Sequence, residues 1–122
     1  MQHLIPYFTI GFVVLIHIYI VWLEMFAWTS RGPKVFKQFP KELFPPTKAL
    51  AGNQGLYNGF LAAGLIWSLL IENAEWKSNI AYFFLGCVAI AGLYGAATAS
   101  KKILMVQFIP ALIGIISVWF CW

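Results

Sequence analysis

The stretch Leu4–Trp28, LIPYFTIGFVVLIHIYIVWLEMFAW, decides the fold class. It contains no Lys, Arg or Asp, and a single Glu. A bilayer hydrocarbon core of about 30 Å takes about 20 apolar residues in a helix. Lipid also demands that a chain satisfy its own backbone N–H and C=O groups, which only helices and closed barrels do. The apolar residues run continuously here instead of alternating, so a barrel strand does not fit. The stretch predicts a membrane-spanning helix. No Lys or Arg precedes it and no small-x-small cleavage signal follows it, so it reads as a retained span and not as a cleaved leader.

Working outward, three more segments are long enough to span: 49–71, whose first third is polar, 80–100 and 103–122. Composition agrees with this pattern. Of 122 residues, 61% are hydrophobic, 18% aromatic and 10% charged, with a mean hydropathy of +0.80. A soluble chain of this size needs more polar residues to cover its surface. The expected fold is all-α: one domain, 1–122, forming an integral membrane four-helix bundle. Disorder and nucleic-acid binding are excluded, and membrane lipids are the expected surroundings.

The connections set the orientation. The formal net charge is +4, from eight Lys and Arg and four Asp and Glu. The long connection 29–48 carries Arg31, Lys34, Lys37, Lys41 and Lys48, and the third connection carries Lys101 and Lys102. The second, between spans two and three, holds Glu72, Glu75 and Lys77. All the basic residues but Lys77 thus lie on one side, which the positive-inside rule makes the cytoplasm. Both termini then face outward, in a bacterial cytoplasmic (inner) membrane. Trp28, Trp76, Trp119 and Trp122 fall near span ends, where amphipathic rings favour the interface. Connection 29–48 interleaves Phe36, Phe39 and Phe44 with lysines, and its four prolines break any long helix. Two readings fit it: a connector lying on the inner leaflet, or a lid over a cytoplasmic opening.

Small residues mark close helix contacts in membranes. Span two carries Ala51, Gly55, Gly59 and Ala63; span three carries Gly92 with Ala96 and Ala91 with Gly95. These ridges face either other spans of the chain or a second copy in a homo-oligomer. Pro110 in span four removes the usual N–H partner of the Val106 carbonyl. Cys87 and Cys121 have no metal-type spacing and read as buried free thiols.

Polar residues inside spans are functional-site candidates. Glu24 lies one turn from the cytoplasmic end of span one. Asn53, Gln54, Tyr57 and Asn58 fill the same end of span two, Tyr94 and Thr98 that half of span three, and Gln107 that end of span four. His17 lies near the midplane, on the helix face of Glu24. The expected site is a pocket between the helices, open to the cytoplasm. Glu24 would be its acid, base or cation ligand and His17 its inner proton partner, with Asn53, Gln54, Tyr57, Asn58, Tyr94, Thr98 and Gln107 binding a small lipophilic or amphipathic ligand. The alternatives are a proton- or cation-coupled small transporter using Glu24, and a structural or regulatory subunit whose polar groups bond helix to helix. In the last case His17 is a neutral, hydrogen-bonded histidine and Glu24 reaches the interface. No zinc set, haem pair, catalytic triad or phosphate loop is legible, so no metal is expected and no cofactor is named.

Several strings carry a resemblance: Trp22-Leu-Glu24-Met-Phe-Ala-Trp28, Asn53-Gln-Gly-Leu-Tyr57-Asn58-Gly-Phe60, Ala91-Gly-Leu-Tyr94-Gly-Ala-Ala-Thr98 and Gln107-Phe-Ile-Pro110. Together they resemble an uncharacterised bacterial family of small four-span membrane proteins known as a domain of unknown function. That likeness implies a membrane location and names no activity. The span order and long first connection also look like the MAPEG membrane enzymes, which carry an Asn and a Glu-Asn pair at the start of span two. Here Tyr57 stands in place of that Glu, and the flanking arginines are absent. Small multidrug transporters are similar in having four spans and one Glu in the first, but theirs lies nearer the membrane middle.

Overall fold

The computed structural model describes residues 1–122 as five α-helices and no strands. A 3₁₀ turn, Gln2–Leu4, leads into α1 (Ile5–Phe26). The short α2 (Gly32–Val35) and a 3₁₀ turn, Lys41–Leu43, punctuate the long connection to α3 (Lys48–Leu70). Then come α4 (Ala74–Thr98), a π-helical stretch Leu104–Phe108, and α5 (Ile109–Cys121). Three helical segments are long and apolar enough to cross a membrane: Gln2–Phe26, Ala74–Thr98 and Leu104–Cys121. The 23-residue α3 has the length but not the apolarity, because Asn53, Gln54 and Asn58 lie in its first half.

Caps, and not hydrophobicity, set some of these boundaries. The apolar run that opens at Ile80 sits inside a helix starting at Ala74. Asn73 caps that helix: its side-chain oxygen accepts from the Trp76 N–H at 3.0 Å. Such a cap contributes about 1 kcal/mol, and Glu75 in the first turn suits the helix dipole. Pro110 lies just after the π-helical stretch, inside one continuous helical run of residues 102–121, where it cannot supply the N–H of a regular turn. The turn before it is widened: the Ile109 N–H bonds to Leu104 O, five residues back.

The chain divides into two compact units. The larger comprises Met1–Ile16 and Leu61–Trp122. Its core is aliphatic, built on Ile10, Val13, Leu65, Leu85, Val88 and Val118. Gly92 of α4 meets the backbone at Phe108, where an added Cβ would lie 2.6 Å from the Phe108 nitrogen. Thr9 and Ser117 share a hydrogen bond of 2.7 Å between α1 and α5. Lys77 donates to the Tyr7 hydroxyl at 2.7 Å and to Leu69 O at 3.2 Å. Its ammonium lies over the rings of Tyr7 and Trp122, at 4.7 and 5.1 Å. The Trp122 indole N–H in turn donates to His3 O at 3.0 Å.

The smaller unit is His17–Phe60. It holds the end of α1, the long connection and the first half of α3. Gly55 is its closest helix contact: a Cβ there would lie 2.6 Å from Met25 Cγ and 3.0 Å from Glu24 Cβ. At Gly59 an added Cβ would lie 3.7 Å from Val21 Cγ2, an ordinary contact distance.

Candidate functional site

The His17–Phe60 unit is organised by the way the chain leaves α1. The N–H groups of Arg31 and Gly32 both bond to Ala27 O, at 2.8 and 3.1 Å, which turns the backbone sharply. Gly32 then lies under the Phe44 ring, where a Cβ would come within 2.8 Å of ring carbon. Only a residue without a side chain lets the connection fold back so closely. Trp28 becomes the centre of an aromatic cluster. Its ring lies 5.6 Å from Phe36 and 4.9 Å from Phe44, and Phe36 stacks on Phe39 at 5.8 Å. The Trp28 indole N–H donates to the Thr47 hydroxyl at 2.9 Å, and that hydroxyl donates to Leu43 O at 2.7 Å. Phe44 is buried to 1% exposure, so the rings form a small core. Residues 29–48 therefore pack on the helix end beside them, while Lys34, Lys37, Lys41 and Lys48 point outward.

The close approach at Gly55 brings α1 and α3 into polar contact. Asn58 Nδ2 donates to Glu24 Oε1 at 2.6 Å, and also to Gln54 O at 3.2 Å. Beside this pair lies a cleft of about 380 Å³. Its walls are Trp28, Phe39, Leu43, Phe44, Leu50 and Ala51; Glu24, Thr47 and Gln54 are its polar members. The lining is mostly apolar with three polar members, and the cleft is open to its surroundings. The lining offers oxygen and amide groups and no His or Cys.

The other candidate residues are placed as follows. His17 is fully buried. Asn53 and Tyr57 face outward, Tyr57 at 56% exposure. Each lies two residues from the buried Gly55, so each projects about 200° round the helix from it. Tyr94 is 72% exposed for the same reason, two residues from buried Gly92. Thr98 donates to Tyr94 O of its own helix at 2.7 Å. Gln107 is half-buried in the π-helical stretch, its Cβ 3.0 Å from where a Cβ on Gly92 would lie. Among the candidates, Glu24 and Gln54 line the cleft, and Asn58 holds Glu24.

Sequence reasoning did not assign the aromatic wall to the site. Trp28 reads as an interface anchor, and Phe39 and Phe44 read as membrane-lying rings. The available signal was Gly32 followed by Phe36, Phe39 and Phe44, a pattern that does not by itself fix how the connection folds back. A second cavity, of about 370 Å³, is lined by Trp67, Trp76, Phe83 and Phe84 in the larger unit and holds no ionisable group. Cys87 and Cys121 are half-buried and unbridged.

Residues 11–119 match the family described as "Protein of unknown function (DUF1304)". A similar curated relative is the "Uncharacterized protein YpaA" of Lactococcus lactis subsp. lactis (strain IL1403). It is 35% identical over 104 residues, which cover 84% of this chain and 86% of the relative. No solved structure matches the chain.

Proposed function

This chain belongs to the DUF1304 family, and from that premise we propose that it is a four-span protein of the bacterial cytoplasmic membrane that binds a small lipophilic or amphipathic molecule at its cytoplasmic end. The cleft beside Glu24 carries this reading. It combines an ionisable group on a membrane-type helix with aromatic walls supplied by the most basic connection of the chain. At 1.5 Å per residue, the 23 residues of α3 extend about 35 Å, enough to cross a hydrocarbon core as the fourth span. Connection 29–48 then closes over the cleft as its cover, with its lysines toward the anionic inner leaflet.

Labelling tests the reading. In a chain with Cys87 and Cys121 replaced by Ala, single cysteines at Leu43 and Gln54 should react with a membrane-impermeant maleimide from the cytoplasmic face alone. Reaction from the outer face, or equally from both, contradicts it and favours an open transport path.

One observation favours a second reading. The 2.6 Å bond from Asn58 to Glu24 joins α1 to α3, as expected if the polar groups only hold helices together. On that reading, replacing Glu24 lowers stability and alters no binding.

A further inference from the structure

We infer that the cleft takes a lipophilic amine, its ammonium group against Glu24 and its hydrocarbon portion among Trp28, Phe39 and Phe44; this rests on the cleft being a ligand site. Two donors of the lining are already committed, while the Gln54 amide keeps its N–H groups. The Trp28 indole N–H is bonded to Thr47, and the Thr47 hydroxyl to Leu43 O. What remains for a ligand is the Glu24 carboxyl, of which Asn58 engages Oε1, and the Gln54 amide, which can accept or donate.

Charge points the same way. Glu24 is the one ionisable residue lining the cleft, and no Lys, Arg or His shares the lining. The four nearby lysines, Lys34, Lys37, Lys41 and Lys48, are exposed. Rings complete the complementarity: Trp28 and Phe39 are half-buried in the lining, and an ammonium is attracted to the faces of Trp and Phe. Trp28 and Phe44 lie 4.9 Å apart, tilted at 46°, as adjoining walls of the same space. A carboxylate and an ammonium brought together here form a charge-assisted hydrogen bond. An anionic headgroup would meet the Glu24 carboxylate and the ring faces, which disfavour it, and would find free donors in the lining only on the Gln54 amide.

Three amphiphiles with one tail separate head chemistry from hydrophobicity: dodecylamine, dodecanol and dodecanoate. The full chain in phosphatidylcholine nanodiscs is titrated with each by calorimetry, with empty nanodiscs subtracted. Dodecylamine should bind saturably and at least tenfold tighter than dodecanol, with dodecanoate weakest. Glu24→Gln should remove the amine's advantage and leave dodecanol unchanged. Leu43→Lys alters a half-exposed wall position, so it tests the same point without touching Glu24. It should weaken the amine at least tenfold and strengthen dodecanoate. Equal binding of amine and alcohol, unaltered by either substitution, overturns the amine assignment and leaves the cleft as a ligand site. Tighter binding of dodecanoate to the unmodified chain overturns it as well. Saturable binding of none of the three overturns both the assignment and the ligand-site reading.

Discussion

Two glycines of α4 should respond in opposite directions to the same substitution. Gly86 has nothing within 4 Å of an added Cβ, so Gly86→Ala meets open space. It should gain the helix-propensity difference, about 0.5–1 kcal/mol. At Gly92 the added carbon would lie 2.6 Å from Phe108 N, 3.0 Å from Phe108 Cα and 3.0 Å from Gln107 Cβ. Ordinary contacts need about 3.5 Å or more. The obstructing atoms belong mostly to backbone, which cannot rotate aside as a side-chain tip can. The π-helical stretch must therefore retreat by nearly 1 Å, and overpacking of this kind costs about 1–3 kcal/mol. After the propensity gain, Gly92→Ala should lose up to about 2 kcal/mol. Because both variants share that gain, they differ by the overpacking cost alone, about 1–3 kcal/mol, a roughly five- to 150-fold difference in folding equilibrium. Titration with sodium dodecyl sulfate from mild detergent micelles, followed by circular dichroism, measures this directly. Equal stability of the two variants refutes the close packing of α4 on the π-helical stretch.

Three further outcomes follow from the hydrogen bonds. Asn58→Ala removes the donor to Glu24 and should cost about 0.6–1.7 kcal/mol in the same titration, the range for bonds between membrane helices; Asn58→Gln should recover part of it. Thr9→Val and Ser117→Ala break one shared bond, so the double variant should be less destabilised than the sum of the singles by about 0.6 kcal/mol. Lys77→Met removes the ammonium from Tyr7 and Trp122 and should lower stability by about 0.5–1 kcal/mol. Trp122 emission should shift as well, read in a variant whose other tryptophans are replaced by phenylalanine, and Lys77→Arg should preserve both properties.

Much of the helix pattern could be read from the chain because apolar length is a strong signal. The reading of 4–28 meets a helix at Ile5–Phe26, and 49–71 meets Lys48–Leu70. The start of α4 was missed because an apolar run reports burial or lipid contact, while Asn73 reports the helix end. Pro110 signalled a local disturbance, and the structure resolves it as a π-helical turn. Gly55 and Gly92 were legible as contact points; their neighbours, Met25 and Phe108, were not, since spacing gives a face and not its partner.

The site was less legible. Glu24 and Asn58 are separated by 34 positions, and only the small side of α3 at Gly55 explains their meeting. Helical phase could have set Asn53, Tyr57 and Tyr94 apart, each being two residues from a buried glycine. The aromatic wall depended on a connection folding back at Gly32, which composition alone does not specify. Lys77, the exception to the basic asymmetry, is accounted for by its bonds to Tyr7 and Leu69.

The most direct measurement is a density map of the full chain purified with native lipid. An elongated non-protein feature should occupy the cleft, one end within hydrogen-bond distance of Glu24 and its length against Trp28, Phe39 and Phe44. A map in which Phe39 and Leu43 close onto Glu24 and leave no volume between them would contradict it.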